Sequence, residues 1–261
     1  MLRSLYTAAT GMDAQQTKLD IIANNLANAS TTGFKKTRAD FQDLLSETIR
    51  SATPSTAQGG SQPTPLQVGL GVRTASTSRS FAQGEMIETK NPLDLSIQGS
   101  GFFRIQRPSG ETAYTRDGSF RLDATGRLVT QTGEMLEPGI TVPVDATNIT
   151  VKADGTVQAR IPGRTDMVDV GTIQIASFAN PGGLEAIGNN LLMGTSSSGD
   201  PMVVKPGEQG TGSIGQGLLE GSNVSAVEEM INMITTQRNY ELNSKVVQSA
   251  DEMLQRLTQI R

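Results

Sequence analysis

The chain has 261 residues, of which Leu, Ile, Val and Phe make up only about 23%, just above the level at which disorder sets in. It has no His and no Cys, which excludes Ser-His-Asp and Cys-His nucleophilic catalysis, imidazole- or thiolate-bound metals, and disulfides. A formal charge of −4 argues against nucleic acid as a partner, and no run of 18 apolar residues is available to span a bilayer.

The N-terminus lacks a continuous apolar stretch and a Sec-type cleavage pattern, so the protein is expected to be cytosolic or exported by another route. Leu5, Ala8, Met12, Gln15, Leu19, Ile22, Leu26 and Ala29 recur in steps of three and four. That spacing predicts a helix with the narrow seam of a coiled coil. Gly11 sits inside it at a cost of about 1 kcal/mol relative to Ala. A break is expected at 28–33, where Asn and Gly suit a left-handed cap, and a second short helix over 41–49. Residues 51–69 are nearly all Ser, Thr, Pro, Gly, Gln and Ala, the composition of a linker or extended arm.

From about 72 to 219 the period changes to two. Leu93, Leu95 and Ile97 alternate, as do Ile140, Val142 and Val144, with Asp-Gly and Pro-Gly turn signals between the runs. Short strands at this spacing indicate an all-β unit. The glycine-rich stretch 207–221 leads out of it, and its part 210–215 reads as flexible glycine turns. The last segment is a long helix. Ser225 and Glu228 fit a capping box, and apolar residues follow at Met230, Met233, Ile234, Tyr240, Val247, Ala250, Leu254 and Leu257. Glu241 and Lys245 form an i,i+4 pair in the favoured order.

The expected organisation is therefore α+β. Residues 1–45 form an N-terminal helical segment, 46–71 a polar arm, 72–219 a β-rich domain and 220–261 a C-terminal helical segment. The terminal helices are expected to pair and then to need neighbouring molecules, because they hold too few large apolar side chains to offset their ordering entropy alone. Asn24, Asn25 and Asn28 are poor helix formers clustered near one helix end, and they suggest specific hydrogen bonds to a partner helix.

Candidate chemistry is sparse. Gly210-Thr211-Gly212-Ser213-Ile214-Gly215 matches G-x-G-x-x-G but lacks the following helix that a dinucleotide site requires. Asp117 and Asp123 could serve a glycosidase only if they converge, and both stand where turns call for Asp. No catalytic, cofactor or metal residue is expected. Composition and periodicity leave open a secreted β-rich binding protein or carbohydrate-active enzyme.

Several motifs resemble one family. Ala23-Asn24-Asn25-Leu26-Ala27-Asn28, with Thr32-Gly33-Phe34-Lys35, is similar to the N-terminal signature of bacterial flagellar rod and hook proteins. Asn91-Pro92-Leu93-Asp94-Leu95, Gly99-Ser100-Gly101-Phe102-Phe103 and Tyr114-Thr115-Arg116-Asp117-Gly118 resemble their shared central motifs. Glu220-Gly221-Ser222-Asn223-Val224, Gln237-Arg238-Asn239-Tyr240-Glu241 and Asp251-Glu252-Met253-Leu254 resemble the ends of distal rod members. The resemblance implies a non-enzymatic axial subunit, exported unfolded by the flagellar type III apparatus without a cleaved signal.

It further implies antiparallel terminal helices lining a tube, a β domain facing outward, and an arm that locks subunits into a stiff drive shaft transmitting torque. Implied partners are further copies of the chain, proximal rod and hook subunits or the hook–rod junction, and the surrounding periplasmic and outer-membrane rings. A proximal rod subunit is the alternative within the family. The expected assembly seam is Leu5, Met12, Leu19, Ile22, Leu26, Met230, Ile234, Val247, Leu254 and Leu257. Asn24, Asn25, Asn28, Tyr240 and Glu241 are expected to set register.

Overall fold

A computed structural model describes residues 2–50, 64–162 and 167–259. The described chain forms two compact units. The first comprises Met1–Ala27, Thr37–Ser78 and Ser225–Arg261, the second Asn28–Lys36 and Arg79–Val224.

The first unit is built on two helices in contact, α1 (Leu2–Ala27) and α2 (Ala226–Gln259). Asn25 of α1 meets Glu229 of α2, and Gly11 approaches Asn243, fourteen residues away in each helix but in opposite chain directions. The helices therefore run antiparallel, with about 21 Å of axis between the two contacts. A Cβ on Gly11 would stand 3.0 Å from Asn243 Nδ2, so the glycine that weakens α1 also lets α2 come close. At the start of α2, Ser225 Oγ accepts from the Glu228 N–H at 3.5 Å and Glu228 and Glu229 occupy the first turn, where carboxylates favour the helix dipole.

Two small sheets complete this unit. Thr37–Asp43 pairs with Val72–Arg79, and Glu47–Arg50 pairs with Leu66–Val68. The expected helix over 41–49 is thus replaced by strands. A nine-residue helix with no packed face has too few hydrogen bonds to repay its nucleation, whereas strand pairing satisfies the same backbone groups. Most of the expected arm, 51–63, lies outside the described residues.

The second unit is β-rich, as the period-two pattern predicts. Its largest sheet has nine strands, centred on Phe102–Gln106 between Thr112–Thr115 on one side and Met135–Leu136 and Ile175–Ser177 on the other. Asn148–Val151, Thr156–Arg160 and Val168–Thr172 form a separate three-stranded sheet. Ile97, Phe103, Ile105, Leu136, Ile173 and Ile175 are fully buried in its core. A second cluster packs Phe81, Phe102, Tyr114 and Phe178 edge to face, with ring centroids 4.7–5.9 Å apart.

The glycines at 210–215 are not a run of flexible turns. Ser213–Gln216 pairs with Leu95–Gln98, and Leu218–Glu220 pairs with Met86–Glu88. Gly212 lies so close to Leu95–Gln98 that a Cβ there would overlap the Gln98 carbonyl, so glycine here serves close backbone approach.

Candidate assembly interface

The buried seam of the helix pair is made of small and polar residues. On α2 it follows Glu229, Thr236 and Ala250, which are 1%, 0% and 2% exposed, with Asn243 at the intervening heptad position. On α1 it includes Ala8, Ala14, Ile22 and Asn25, all buried. Asn25 is the polar centre. Its Nδ2 donates to the Thr37 carbonyl at 2.8 Å and to Glu229 Oε2 at 3.3 Å, and its Oδ1 accepts from the Thr37 N–H at 3.0 Å. The Thr236 hydroxyl is satisfied within its own helix by the Asn232 carbonyl at 2.6 Å.

The expected seam residues divide into groups. Ile22 is buried, and Leu5, Met12, Leu19, Leu26, Val247 and Leu254 are half-buried. Met230 and Ile234 are 54% and 50% exposed, so they do not carry the pairing within one chain. The side chain of Leu257 lies outside the described residues. Of the three asparagines, Asn25 reaches the partner helix through Glu229. Asn24 is exposed, and Asn28 belongs to the turn after α1, where its Oδ1 accepts from Thr31 Oγ1 at 3.2 Å. Tyr240 and Glu241 are exposed.

Glu229 and Thr236 escaped a reading that followed apolar residues, while Ala250 stood in the apolar pattern but not in the expected seam. Their signal was the spacing of seven shared with Asn243, which marks a coiled-coil position whatever its chemistry. Seven large apolar side chains of α2 stand instead on its outer side: Val227, Met230, Ile231, Ile234, Leu242, Val246 and Met253 are exposed, whereas Met233, Val247 and Leu254 are half-buried.

The second unit is closed by buried charge. Lys35 Nζ and Glu220 Oε1 are 2.5 Å apart and Arg116 Nη1 is 3.2 Å from Glu220 Oε2, with all three side chains at most 5% exposed. Lys35 also donates to the Ala82 carbonyl at 2.7 Å, Arg116 to the Gly99 carbonyl at 2.7 Å, and the Gly84 N–H to Glu220 Oε1 at 3.0 Å. The Arg116 guanidinium lies 5.4 Å over the Phe102 ring. Burial holds both Lys35 and Arg116 below their ordinary pKa values, against the opposing pull of Glu220. Asn223 spans the same region, accepting from the Lys36 N–H at 2.7 Å and donating to the Ser80 and Ala82 carbonyls.

The carboxylates weighed for catalysis serve turns. Asp117 Oδ1 accepts from the Ser119 N–H and hydroxyl at 3.1 and 2.8 Å, and Asp123 accepts from Thr125 and Arg127. The glycine motif at 210–215 runs into a strand rather than a helix, and among the described residues no cluster suited to a metal ion occurs.

An interface of this kind, without a reaction centre, fits the similarities of the sequence. Residues 5–35 match the family model of flagella basal body rod proteins. Residues 96–159 match that of the flagellar hook protein FlgE/F/G D1 domain, and 216–260 that of the flagellar basal body rod FlgEFG protein C-terminal region. The chain is 49% identical to the flagellar basal-body rod protein FlgG of Caulobacter vibrioides over 261 residues, covering all of both chains. It is 47% identical over 260 residues to FlgG of Buchnera aphidicola from Acyrthosiphon pisum, and 41% identical over 267 residues to FlgG of Bacillus subtilis, again over the full length of each. The chain belongs to the FlgG family of flagellar basal-body rod proteins. It is a structural, non-enzymatic protein of the distal rod, and membership in the rod family implies assembly with rod or hook subunits. No helix among the described residues is long and apolar enough to cross a membrane.

Proposed function

We propose that this chain polymerises into a rigid tubular drive shaft that transmits torque from the motor to the hook, and that its working residues are contacts between copies. The single observation carrying this reading is the outer side of α2, where Val227, Met230, Ile231, Ile234, Leu242, Val246 and Met253 stay exposed although α1 is already in place. Burying such side chains contributes about 1.5–3 kcal/mol each, and a patch of this kind on a soluble chain marks an interaction surface. In the polymer the exposed Met230 and Ile234 join Leu5, Met12, Leu19, Ile22, Leu26, Val247, Leu254 and Leu257 as the assembly seam. Asn24, Asn25, Asn28, Tyr240 and Glu241 set its register.

The flanking partners in this reading are proximal rod and hook subunits or the junction between them, with periplasmic and outer-membrane rings around the shaft. The chain reaches its place through the flagellar type III export apparatus without a cleaved signal, crossing the periplasm toward the outer membrane. The paired strands Glu47–Arg50 and Leu66–Val68 expose Ile49, Leu66 and Val68, and with the segment between them they act as the arm that stiffens the shaft. Electron microscopy of concentrated full-length protein tests the reading. Straight tubes or filaments are expected, abolished by Leu254→Asp and bent or lost on deletion of 47–68. A persistent monomer at high concentration would overturn it.

A further inference from the structure

Residues 31–36 follow α1 in the chain and lie, within the second unit, against residues far from them in sequence. Thr32 Oγ1 donates to Asp117 Oδ1 at 3.1 Å, the Thr32 carbonyl accepts from Asn190 Nδ2 at 3.1 Å, and the Gly33 N–H donates to the Glu220 carbonyl at 2.8 Å. Gly33 has a φ of +68°, and a Cβ there would stand 2.6 Å from the Asp117 nitrogen, so only glycine allows this approach. The other residues of this connector are half-buried, and Lys35 alone among them is fully buried.

Charge makes the insertion of Lys35 conditional. Arg116 occupies the same interior, where the Ile97 and Gly99 carbonyls accept from its guanidinium at 3.3 and 2.7 Å. Carbonyl dipoles offset part of the cost of burying a cation, but they leave Lys35 and Arg116 as like charges with little water to screen them. The Glu220 carboxylate touches both and turns the balance on Lys35 from repulsion to attraction. Glu220 ends the strand Leu218–Glu220, which is held in place by pairing with Met86–Glu88. The counter-charge therefore arrives with the last strand of the unit.

We infer that Glu220 is an electrostatic latch: the 31–36 connector docks into the second unit only when the strand Leu218–Glu220 has brought its carboxylate to Lys35 and Arg116. The device makes placement of the last strand the condition for seating the first segment of the same unit. Until that strand pairs, the favoured form keeps Lys35 in water and the connector undocked. The inference rests on the interior of this unit alone and is independent of the polymer.

The test uses the full-length chain. In Glu220→Gln, Lys35 is expected to react with an amine-acylating succinimidyl ester ten-fold or more faster than in the parent, while Lys152, exposed in the same unit, keeps its rate. Lys35→Met combined with Glu220→Gln returns the buried net charge to that of the parent, and is expected to recover more than half of the denaturant-midpoint shift caused by Glu220→Gln. A carboxylate that acted only through its hydrogen bonds would leave the double variant no more stable than the single one. Glu220 and Arg116 are the charged groups acting on Lys35, whose pKa burial lowers against the upward pull of Glu220. Without that pull the folded-state value falls further below the unfolded 10.5, so the unfolded chain keeps a proton that the folded chain has released, and stability rises with pH. The deficit of Glu220→Gln is therefore expected to narrow as pH rises toward 10.5, and that of the double variant to stay constant. Unchanged protection of Lys35 in Glu220→Gln, or a double variant no more stable than the single one, would overturn the latch. Should Glu220→Gln fail to fold at neutral pH, restored folding on adding Lys35→Met supports the latch, and failure of the double variant to fold overturns it.

Discussion

Lys35 and Glu220 stand 185 residues apart in the chain and 2.5 Å apart in the interior of the second unit. Arg116 approaches the same carboxylate, so one anion balances two cations with almost no solvent to screen them. Glu220→Gln leaves both cations buried without their counter-charge. Loss of one partner of a buried pair costs about 3–5 kcal/mol, to be read as a lowered denaturant midpoint with unchanged slope. A loss under about 1 kcal/mol would mean that the cluster contributes as little as a surface pair.

Asn25 fastens α1 both to the strand starting at Thr37 and to Glu229. Asn25→Leu keeps the volume and removes every bond, leaving the Thr37 N–H and carbonyl without their partner. The expected loss is about 1–3 kcal/mol. Hydrogen exchange at the Thr37 amide should accelerate by a comparable factor; an unchanged rate would show that another acceptor takes over.

Two glycines of the second unit are expected to respond oppositely. A Cβ at Gly118 would overlap the Leu95 carbonyl, whereas at Gly139 it would meet nothing within 4 Å. Gly118→Ala should destabilise by more than about 3 kcal/mol, through enforced backbone displacement. Gly139→Ala should be neutral or stabilise by about 0.4–1 kcal/mol, by restricting the unfolded chain. Thermal unfolding of both variants checks the pair.

Acid sensitivity has an identifiable source. Hydrogen bonds from Arg127 and Thr125 hold Asp123 below the ordinary carboxylate pKa, and the Thr156 N–H and hydroxyl do the same for Asp154. A folded-state pKa below the unfolded one means that the unfolded chain binds protons first as pH falls. The stabilisation is therefore complete above the unfolded value of 3.8 and disappears as pH drops through the lower folded values. The variant Asp123→Asn with Asp154→Asn should show a shallower fall of unfolding midpoint below pH 3.8 than the parent chain. Parallel curves would place the acid sensitivity elsewhere.

Much of the fold was legible because periodicity reports burial. Steps of three and four marked α1 and α2, alternation marked the β-rich region, and Asn24, Asn25 and Asn28 announced a polar contact that Asn25 makes. The face of α2 buried within one chain was not legible because large apolar residues are informative about burial only when one chain does all the burying. Met230 and Ile234 are apolar and exposed, while Glu229 and Thr236 are polar and buried. The strands at Thr37–Asp43 and Ser213–Gln216 were missed because their partners lie far along the chain, at Val72–Arg79 and Leu95–Gln98. Local patterns carry no trace of such pairing, nor of the meeting of Lys35, Arg116 and Glu220.

The bond between Asn25 and Glu229 joins residues 204 positions apart, and the unit that contains it is drawn from both ends of the polypeptide. A polypeptide synthesised from its amino end cannot zip α1 against α2 until nearly its whole length has emerged from the ribosome. The early helix must wait, uncommitted, through the passage of everything between. Completion is thereby timed to arrival of the tail, which withholds the finished helix pair from a half-made chain.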